Sequence, residues 1–160
     1  LGALETLVLV RMKLTGTIPE ELRGLSSLKE LRLSRCRLFG ALPAALWRLG
    51  ALETLELLDT KLTGTMPEEL DGLTSLKELR LSRCGLSGAL PAALWRLGAL
   101  ETLQLSLLNL RGTIPEELGG LSSLKELTLS SCGLSGALPA ALWRLGSLEK
   151  LVLIRLELTG

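Results

Sequence analysis

LGALETLELLDTKLTGTMPEELDG, residues 49–72, is the stretch that decides the fold, because the rest of the chain repeats it with small changes. Its apolar residues first recur at spacings of three, three and two, whereas an amphipathic helix would place them at i, i+3, i+4 and i+7. This spacing predicts a bend followed by a short strand, Thr54 to Leu58, with Leu55 and Leu57 on one side. One such coil has a single apolar side, which it can bury only by stacking on its neighbours.

The repeat divides the chain into seven coils of 24 residues, the last of them incomplete. Odd coils carry the segment GT(I/M)PEEL and even coils carry GALPAALWR, so the full period is 48 residues. We therefore expect residues 1–160 to form one continuous repeat domain of six full coils and a partial seventh, alternating in 48-residue pairs. Positions are numbered 1 to 24 within each coil, and the coils begin at Leu1, Leu25, Leu49, Leu73, Leu97, Leu121 and Leu145.

The repeated motif resembles LxxLxxLxLxxNxLxGxIPxxLxx, the pattern of the plant-specific class of leucine-rich repeat proteins, over the whole chain. The resemblance implies a repeat solenoid of the α/β class, with a parallel β-sheet on its concave side and short turns or 3-10 segments on its convex side. It also implies a second, shorter strand from the residues after the glycine. Members of this family mostly bind peptides, proteins or glycans, often as receptor ectodomains. The Gly-x-Ile-Pro part of the motif stands at residues 16–19, 64–67 and 112–115, and as GALP at residues 40–43, 88–91 and 136–139.

The stacked asparagine of that family is absent from position 12 of every coil. Because Met and Leu cannot hydrogen-bond to the backbone there, we expect the turns of the odd coils to be less rigid than in the family. Three cysteines share this column two coils apart, about 9.6 Å by strand spacing, which is too far for a disulfide or a shared zinc ion. Position 12 holds Met12, Cys36, Thr60, Cys84, Leu108, Cys132 and Leu156, and we expect the cysteines to be free, buried thiols.

The composition argues against catalysis, cofactor binding and nucleic-acid binding. The chain has no His, so Ser–His and Cys–His pairs cannot form, and its glycines follow the repeat rather than a phosphate-binding loop. A net charge of +1 gives no overall field for nucleic acid, and no apolar run approaches the ~20 residues that span a bilayer. We expect a non-enzymatic protein with no cofactor, no metal, no nucleic-acid partner and no membrane insertion.

Three recurrent features are expected to be structural. Position 5 alternates between Glu and Lys along the stack, which predicts attraction between adjacent strands. The Glu pair after each odd-coil proline, such as Glu68 and Glu69, is expected to face free N–H groups at the start of its convex turn. Trp47, Trp95 and Trp143 are expected on the convex side, each ring lying over the adjacent coil with its edge in water. A row of convex binding hot spots is the alternative for these tryptophans.

Variation between otherwise similar coils concentrates on the outward side of the predicted strands and on the turn after them. Residues 49–96 and 97–144 differ at 11 of 48 positions, while the convex PEEL and PAAL segments barely change. We interpret this face as one selected or designed for contact, because several of its members are apolar and isolated solubility would favour polar residues. The predicted binding residues are Val8, Val10, Arg11, Lys13, Arg32, Arg35, Glu56, Leu58, Asp59, Lys61, Arg80, Arg83, Gln104, Ser106, Leu107, Asn109, Val152, Ile154 and Arg155.

The leading hypothesis is a recognition module that binds a protein or peptide through its concave sheet. The alternative is a structural or designed repeat scaffold without a ligand, whose leucine-lined ends associate end to end. The chain begins without methionine, which points to a processed, excised or engineered segment. The family resemblance implies an extracellular protein, although this segment shows no signal peptide, cysteine-paired cap or Asn-x-Ser/Thr acceptor, so partner and compartment stay open.

Overall fold

A computed structural model describes residues 2–159, in which strands and turns recur with the period of the sequence. Within that range, seven strands form one parallel sheet in chain order, each beside the strand of the next coil. This is the concave sheet that the repeat predicts. Its strands are Thr6–Val10, Glu30–Ser34, Thr54–Leu58, Glu78–Ser82, Thr102–Ser106, Glu126–Ser130 and Lys150–Ile154.

Every junction of the concave sheet has the same register, with each residue beside the one 24 positions later, as in Leu55 beside Leu79. Because side chains alternate along a strand, positions 7 and 9 point into the solenoid and positions 6, 8 and 10 point out of it. The inward leucines of the middle coils, such as Leu57 and Leu81, are fully buried. The core is therefore a column of leucines, each of which packs against its equivalents in the neighbouring coils.

A second, shorter strand follows each concave strand. Within residues 2–159, those of coils 1 to 5 form a five-stranded sheet and those of coils 6 and 7 a separate pair. Each strand lies before or around the glycine of the motif, not after it as the family resemblance implied. The motif glycines have a positive φ, as Gly64 does at 106°, and the strands that continue through such a glycine end one residue after it, as at Ala41. The strands are Thr15–Gly16, Arg37–Ala41, Lys61–Gly64, Gly85–Ala89, Asn109–Arg111, Ser135–Ala137 and Glu157–Thr159.

Short 3-10 helices follow the prolines on the convex side. Each begins directly after its proline, whose backbone is extended, as at Pro67 with φ −87° and ψ 169°. Each ends where the chain bends back toward the next concave strand. The helices are Glu20–Gly24, Ala44–Arg48, Glu68–Gly72, Ala92–Arg96, Glu116–Gly120 and Ala140–Arg144.

The first glutamate of each odd-coil helix bonds to the following coil, which corrects the expectation that it serves its own turn. The Glu68 carboxylate accepts hydrogen bonds from the backbone N–H groups of Ala92 and Ala93, both at 3.0 Å. The stacking offset places the start of the next helix, with its free N–H groups, beside this side chain. Glu20 bonds in the same way to Ala44 and Ala45, and Glu116 to Ala140 and Ala141.

The charges at position 5 pair in twos rather than as a continuous ladder. Among the described residues, ion pairs within 4.0 Å in this column join each odd coil to the even coil after it. The separation is 2.7 Å for Lys77 and Glu53, and the hydrogen bond and charge of Lys77 hold the pKa of Glu53 below its usual value. The same contact raises the pKa of Lys77. The pairs are Glu5–Lys29, Glu53–Lys77 and Glu101–Lys125.

Two of the three tryptophans are core residues, which corrects both expectations for them. Trp47 and Trp95 are only 3% and 4% exposed, so they form no accessible convex row. The following odd coil covers them, and a Cβ on its Gly72 or Gly120 would overlap the carbonyl oxygen of Trp47 or Trp95. Trp143 is 71% exposed, because the described part of coil 7 stops before the position of a convex helix. The comparison indicates that the convex part of the following coil buries Trp47 and Trp95.

Candidate functional site

The outward face of the concave sheet is a candidate binding surface, because backbone alternation leaves its side chains free of the core. Apolar members are well exposed, with Val8 and Val10 at 46%, Leu107 at 45% and Ile154 at 48%. Leu58 and Val152, which the sequence analysis counted as exposed, are half-buried. Of the other predicted residues, those in the exposed class are Arg11, Lys13, Arg35, Lys61, Arg83, Asn109 and Arg155, and those of intermediate exposure are Arg32, Glu56, Asp59, Arg80 and Gln104.

Ser106 departs from the prediction, since it is only 8% exposed. It lies at position 10 of a central strand, in register with a serine on each adjacent strand, Ser82 and Ser130. A side chain this short does not rise above the flanking strands. It therefore contributes little area to a concave contact, although its neighbour Leu107 contributes much.

Charged side chains on the sheet face are already paired. Arg32 forms ion pairs with Glu30 of its own strand and with Glu56 of the next, the latter at 3.5 Å. Arg80 lies 3.4 Å from Glu78 and donates a hydrogen bond to Gln104 at 3.5 Å. The contacts of Arg32 with Glu56 and of Arg80 with Gln104 follow from the register, which places position 8 of each coil beside position 8 of the next. The charges in the middle of the sheet face are therefore nearly balanced by one another.

The residue after each concave strand, at position 11, has a left-handed backbone, which the sequence analysis did not predict. Its φ lies between 47° and 55° in all seven coils, and none of the seven is a glycine or an asparagine. In coils 1 to 6 the N–H of this residue donates to a carbonyl of the next coil, as Arg35 does to Leu58 at 2.9 Å, and Arg155 of coil 7 has the same backbone conformation. Of the seven residues in this column, only Asp59 is of a type that often adopts the left-handed conformation. Side chains at position 11 thus project from the same turn conformation in all seven coils.

The position-12 column lies behind this turn and offers no accessible chemistry. Cys36, Cys84 and Cys132 are free and buried, as predicted. Burial raises the pKa of the Cys84 and Cys132 thiols, which keeps them protonated and unreactive. Cys36 donates from its Sγ to the carbonyl of Leu9 at 3.3 Å and so replaces part of the missing asparagine contact.

Across residues 2–159, no group of three or more His, Cys, Asp or Glu side chains is placed to hold a metal ion. None of the helices in that range combines the length and the apolar character needed to cross a membrane.

The open side of coil 1 is a second apolar surface. Its leucines are only partly covered, and they line a cavity of about 450 Å³ together with residues of coil 2. Leu14 is 41% exposed, whereas the leucine at the same position of coils 2 to 6 is buried. This apolar surface is the side of coil 1 that no other described coil covers.

Comparison with known proteins places this geometry in a family. A sequence profile described as Leucine Rich Repeat matches residues 27–49, 75–97 and 123–145. A search of curated protein sequences found no significant match. Many solved structures are similar, among them ectodomains of plant receptor kinases.

Three of these structures illustrate the similarity. The PEPR1–AtPEP1 complex shares 37% identity with a TM-score of 0.94, over 99% of this chain and 22% of that one. The Arabidopsis receptor kinase HAESA ectodomain, in complex with an IDA peptide hormone ligand, shares 34% with a TM-score of 0.92, over 98% and 26%. Pollen Receptor Kinase 3 shares 31% with a TM-score of 0.84, over 98% and 76%.

This chain spans about a quarter of the length of the first two structures, and about three quarters of the third. The parallel concave sheet and the convex 3-10 turns found here are those that the family resemblance implied, and a second strand is also present, although it lies at or before the motif glycine. The chain belongs to the leucine-rich repeat family, in its plant type.

Proposed function

We propose that this chain is a single-domain, non-enzymatic recognition module that binds a protein or peptide through its concave sheet. One observation carries the proposal. The inward positions of the strands hold leucine in every coil, while the outward positions differ from coil to coil and several present exposed apolar side chains. A face that only had to stay in water would favour polar residues there.

The concave face also has the size of a protein-binding surface. Strands ~4.8 Å apart make the sheet roughly 30 Å wide across its coils, which suits a contact of about 800 Å² per partner. Exposed Val8 and Val10 lie at one end of the sheet, Ile154 at the other and Leu107 between them. A partner that spans the sheet would reach apolar anchors along its whole length.

The similar structures support a peptide as the partner. HAESA is described in complex with a peptide hormone ligand, and the PEPR1 structure contains AtPEP1. Because the HAESA structure is an ectodomain, the proposal includes an extracellular location for this chain. The absence of His from the sequence and the pairing of the sheet-face charges with one another support a role without catalysis.

A scaffold that associates end to end is the second candidate, favoured by the open leucine-lined side of coil 1. Charge opposes it. A second copy stacked there in the register of the solenoid would place Glu149 of one copy beside Glu5 of the other, both at position 5. Like charges directly opposite each other on neighbouring strands destabilise the pairing.

Selection of peptides from a random dodecapeptide phage library tests the recognition proposal. A concave variant combines Val8→Ser, Val10→Ser, Leu107→Ser and Ile154→Ser, all of which alter exposed side chains and so cost little stability. We expect selected peptides to bind the unchanged protein and to lose at least about tenfold in affinity for this variant.

The matched control lies on the convex side. It replaces Glu21, Glu69 and Glu117, which are exposed and form no hydrogen bond with the other described residues, by Ser. Glu20, Glu68 and Glu116 are unsuitable, because they hold adjacent coils together. Failure to select any peptide, or peptides whose binding depends on the convex residues, would reject the proposal, and dimers in sedimentation would then support the scaffold.

A further inference from the structure

The turn edge of the first four coils carries a concentration of positive charge that the rest of the edge lacks. Positions 11 and 13 of these coils hold six cations and the single carboxylate of Asp59. The same positions in coils 5 to 7 hold Leu107, Asn109, Ser131, Gly133, Arg155 and Glu157, which sum to no net charge. The six cations, called the basic edge below, are Arg11, Lys13, Arg35, Arg37, Lys61 and Arg83, and all are exposed.

Most of the basic edge is not neutralised by the protein itself. Asp59 lies between two arginines, 3.5 Å from Arg35 and 3.6 Å from Arg83. The other four cations have no carboxylate within 4.0 Å among residues 2–159. The sheet-face arginines differ, since Arg32 and Arg80 are paired with glutamates of their own strands. The edge therefore keeps free positive charge beside a sheet whose own charges are balanced.

An exposed aromatic side chain lies within this edge. Phe39 is 50% exposed although its coil is internal to the stack, so a missing neighbour does not explain the exposure. It lies on the outward side of the strand Arg37–Ala41, two residues from Arg37, and its strand partner in the next coil is Lys61. Every other coil has Thr, Ser or Arg at this position. Aromatic and arginine side chains together are the composition of interface hot spots.

We propose that the basic edge and Phe39 dock an extended acidic segment of a protein or peptide, with an apolar residue of that segment against the Phe39 ring. The proposal rests on the proposed recognition function and names the chemistry of the partner. Carboxylates of the segment pair with the free cations, and the fixed left-handed turns at position 11 hold several of those cations in place.

A nucleic acid fits this surface less well. One aromatic ring cannot stack successive bases, and the carboxylate of Asp59 interrupts the row of cations that a continuous phosphate backbone would follow. An acidic peptide can avoid Asp59, because its charges alternate with neutral residues.

Variants of the edge test the proposal with peptides from the same dodecapeptide library. The edge variant combines Arg37→Glu and Lys61→Glu, and a second variant changes Phe39→Ser. A matched convex variant combines Arg23→Glu and Arg48→Glu, which are also exposed and alter the net charge equally. We expect the selected peptides to be acidic with at least one large apolar residue. Their affinity should fall at least about tenfold in the edge variant, several-fold with Phe39→Ser, and little in the convex variant.

The other outcomes separate this proposal from the proposed function. Peptides that depend on the concave variant but not on the edge variant would reject the basic edge and retain the recognition module. Peptides that depend on the edge but not on the concave residues would retain the edge and reject the concave site. Neutral or basic peptides, equal losses in the convex variant, or edge-dependent binding of an oligothymidylate at least as tight as that of the peptides would reject the acidic segment.

Discussion

The two kinds of junction in the stack share one backbone geometry and differ in their side chains. From an odd coil to the next even coil, a glutamate carboxylate binds two backbone N–H groups and a lysine pairs with a glutamate at position 5. From an even coil to the next odd coil, a tryptophan is buried and a glycine packs against its carbonyl. The concave strands pair in the same way at both.

This difference gives the 48-residue period a physical meaning. Each coil type has a different neighbour before and after it. Two odd coils in succession would place Glu beside Glu at position 5 and would bury no tryptophan between them. The polar junction depends on charge and on exposed hydrogen bonds, whereas the apolar junction depends on burial and close packing. The two should therefore respond differently to substitution and to pH.

The largest effect is expected at the apolar junction. Trp95→Ala should lower the free energy of unfolding by about 3–5 kcal/mol, because the side chain is buried and its removal leaves a cavity. Trp143→Ala removes an exposed ring that has the same neighbours in sequence. It should change the free energy of unfolding by less than about 0.5 kcal/mol. Urea unfolding of both variants measures this, and equal losses would show that the following coil does not bury Trp95.

A smaller loss is expected where the backbones approach closely. Gly72→Ala should cost about 1–3 kcal/mol, because the added Cβ would overlap the carbonyl oxygen of Trp47 and the coils would have to separate. Gly24 occupies the same position in coil 1, and among the described residues nothing lies within 4 Å of a Cβ added there. Gly24→Ala should thus be neutral or slightly stabilising in thermal unfolding. Destabilisation at both sites would indicate a requirement of the helix end itself rather than of the junction.

At the polar junction, loss of one carboxylate is expected to cost about 1 kcal/mol, the usual value of a helix-capping contact. Glu68→Ala leaves the N–H groups of Ala92 and Ala93 without this acceptor. Glu69→Ala, one residue away on the same exposed helix, serves as the control and should have little effect. Chemical denaturation compares them, and a loss at Glu69 as large as that at Glu68 would contradict the bridging role.

The smallest effect is expected from the ion pair of Glu53 and Lys77, which water surrounds. The pKa of Glu53 is lowered, so the stabilisation is present above the usual carboxyl value of 4.5 and lost as the pH falls through the lowered pKa. The pKa of Lys77 is raised, so the stabilisation is present below 10.5 and lost as the pH rises through the raised pKa.

Lys77→Met should therefore flatten the dependence of stability on pH at both extremes, and most visibly on the acid side, where the fold is easier to study. Lys61→Met removes an exposed lysine that has no ion pair within residues 2–159 and should leave the profile nearly unchanged. Melting temperatures measured across the pH range provide the comparison. A profile altered as much by Lys61→Met as by Lys77→Met would reject the local origin of the effect.

Much of the architecture follows from the sequence alone, because alternation and period are local properties of the backbone. Leu55 and Leu57 on one side of a five-residue strand predict the strand and its inward face, and the structure confirms both. The spacing of Cys36, Cys84 and Cys132 also predicts free thiols, since strand spacing alone keeps them apart. These inferences need no knowledge of what lies beyond the coil and its repeat.

Contacts between coils could not be predicted from the sequence, because they depend on the tertiary structure. Whether Glu68 meets its own helix or the next one, and whether Trp95 faces water or a neighbouring coil, depends on how far each coil is displaced along and around the stack. The left-handed backbone at position 11 was also not predictable from residue type, since arginine, leucine and serine adopt it as readily as Asp59 in this fold. The sequence determined the repeating unit and its core, while the stacking offset decided which side chains join the coils and which, like Phe39, remain exposed.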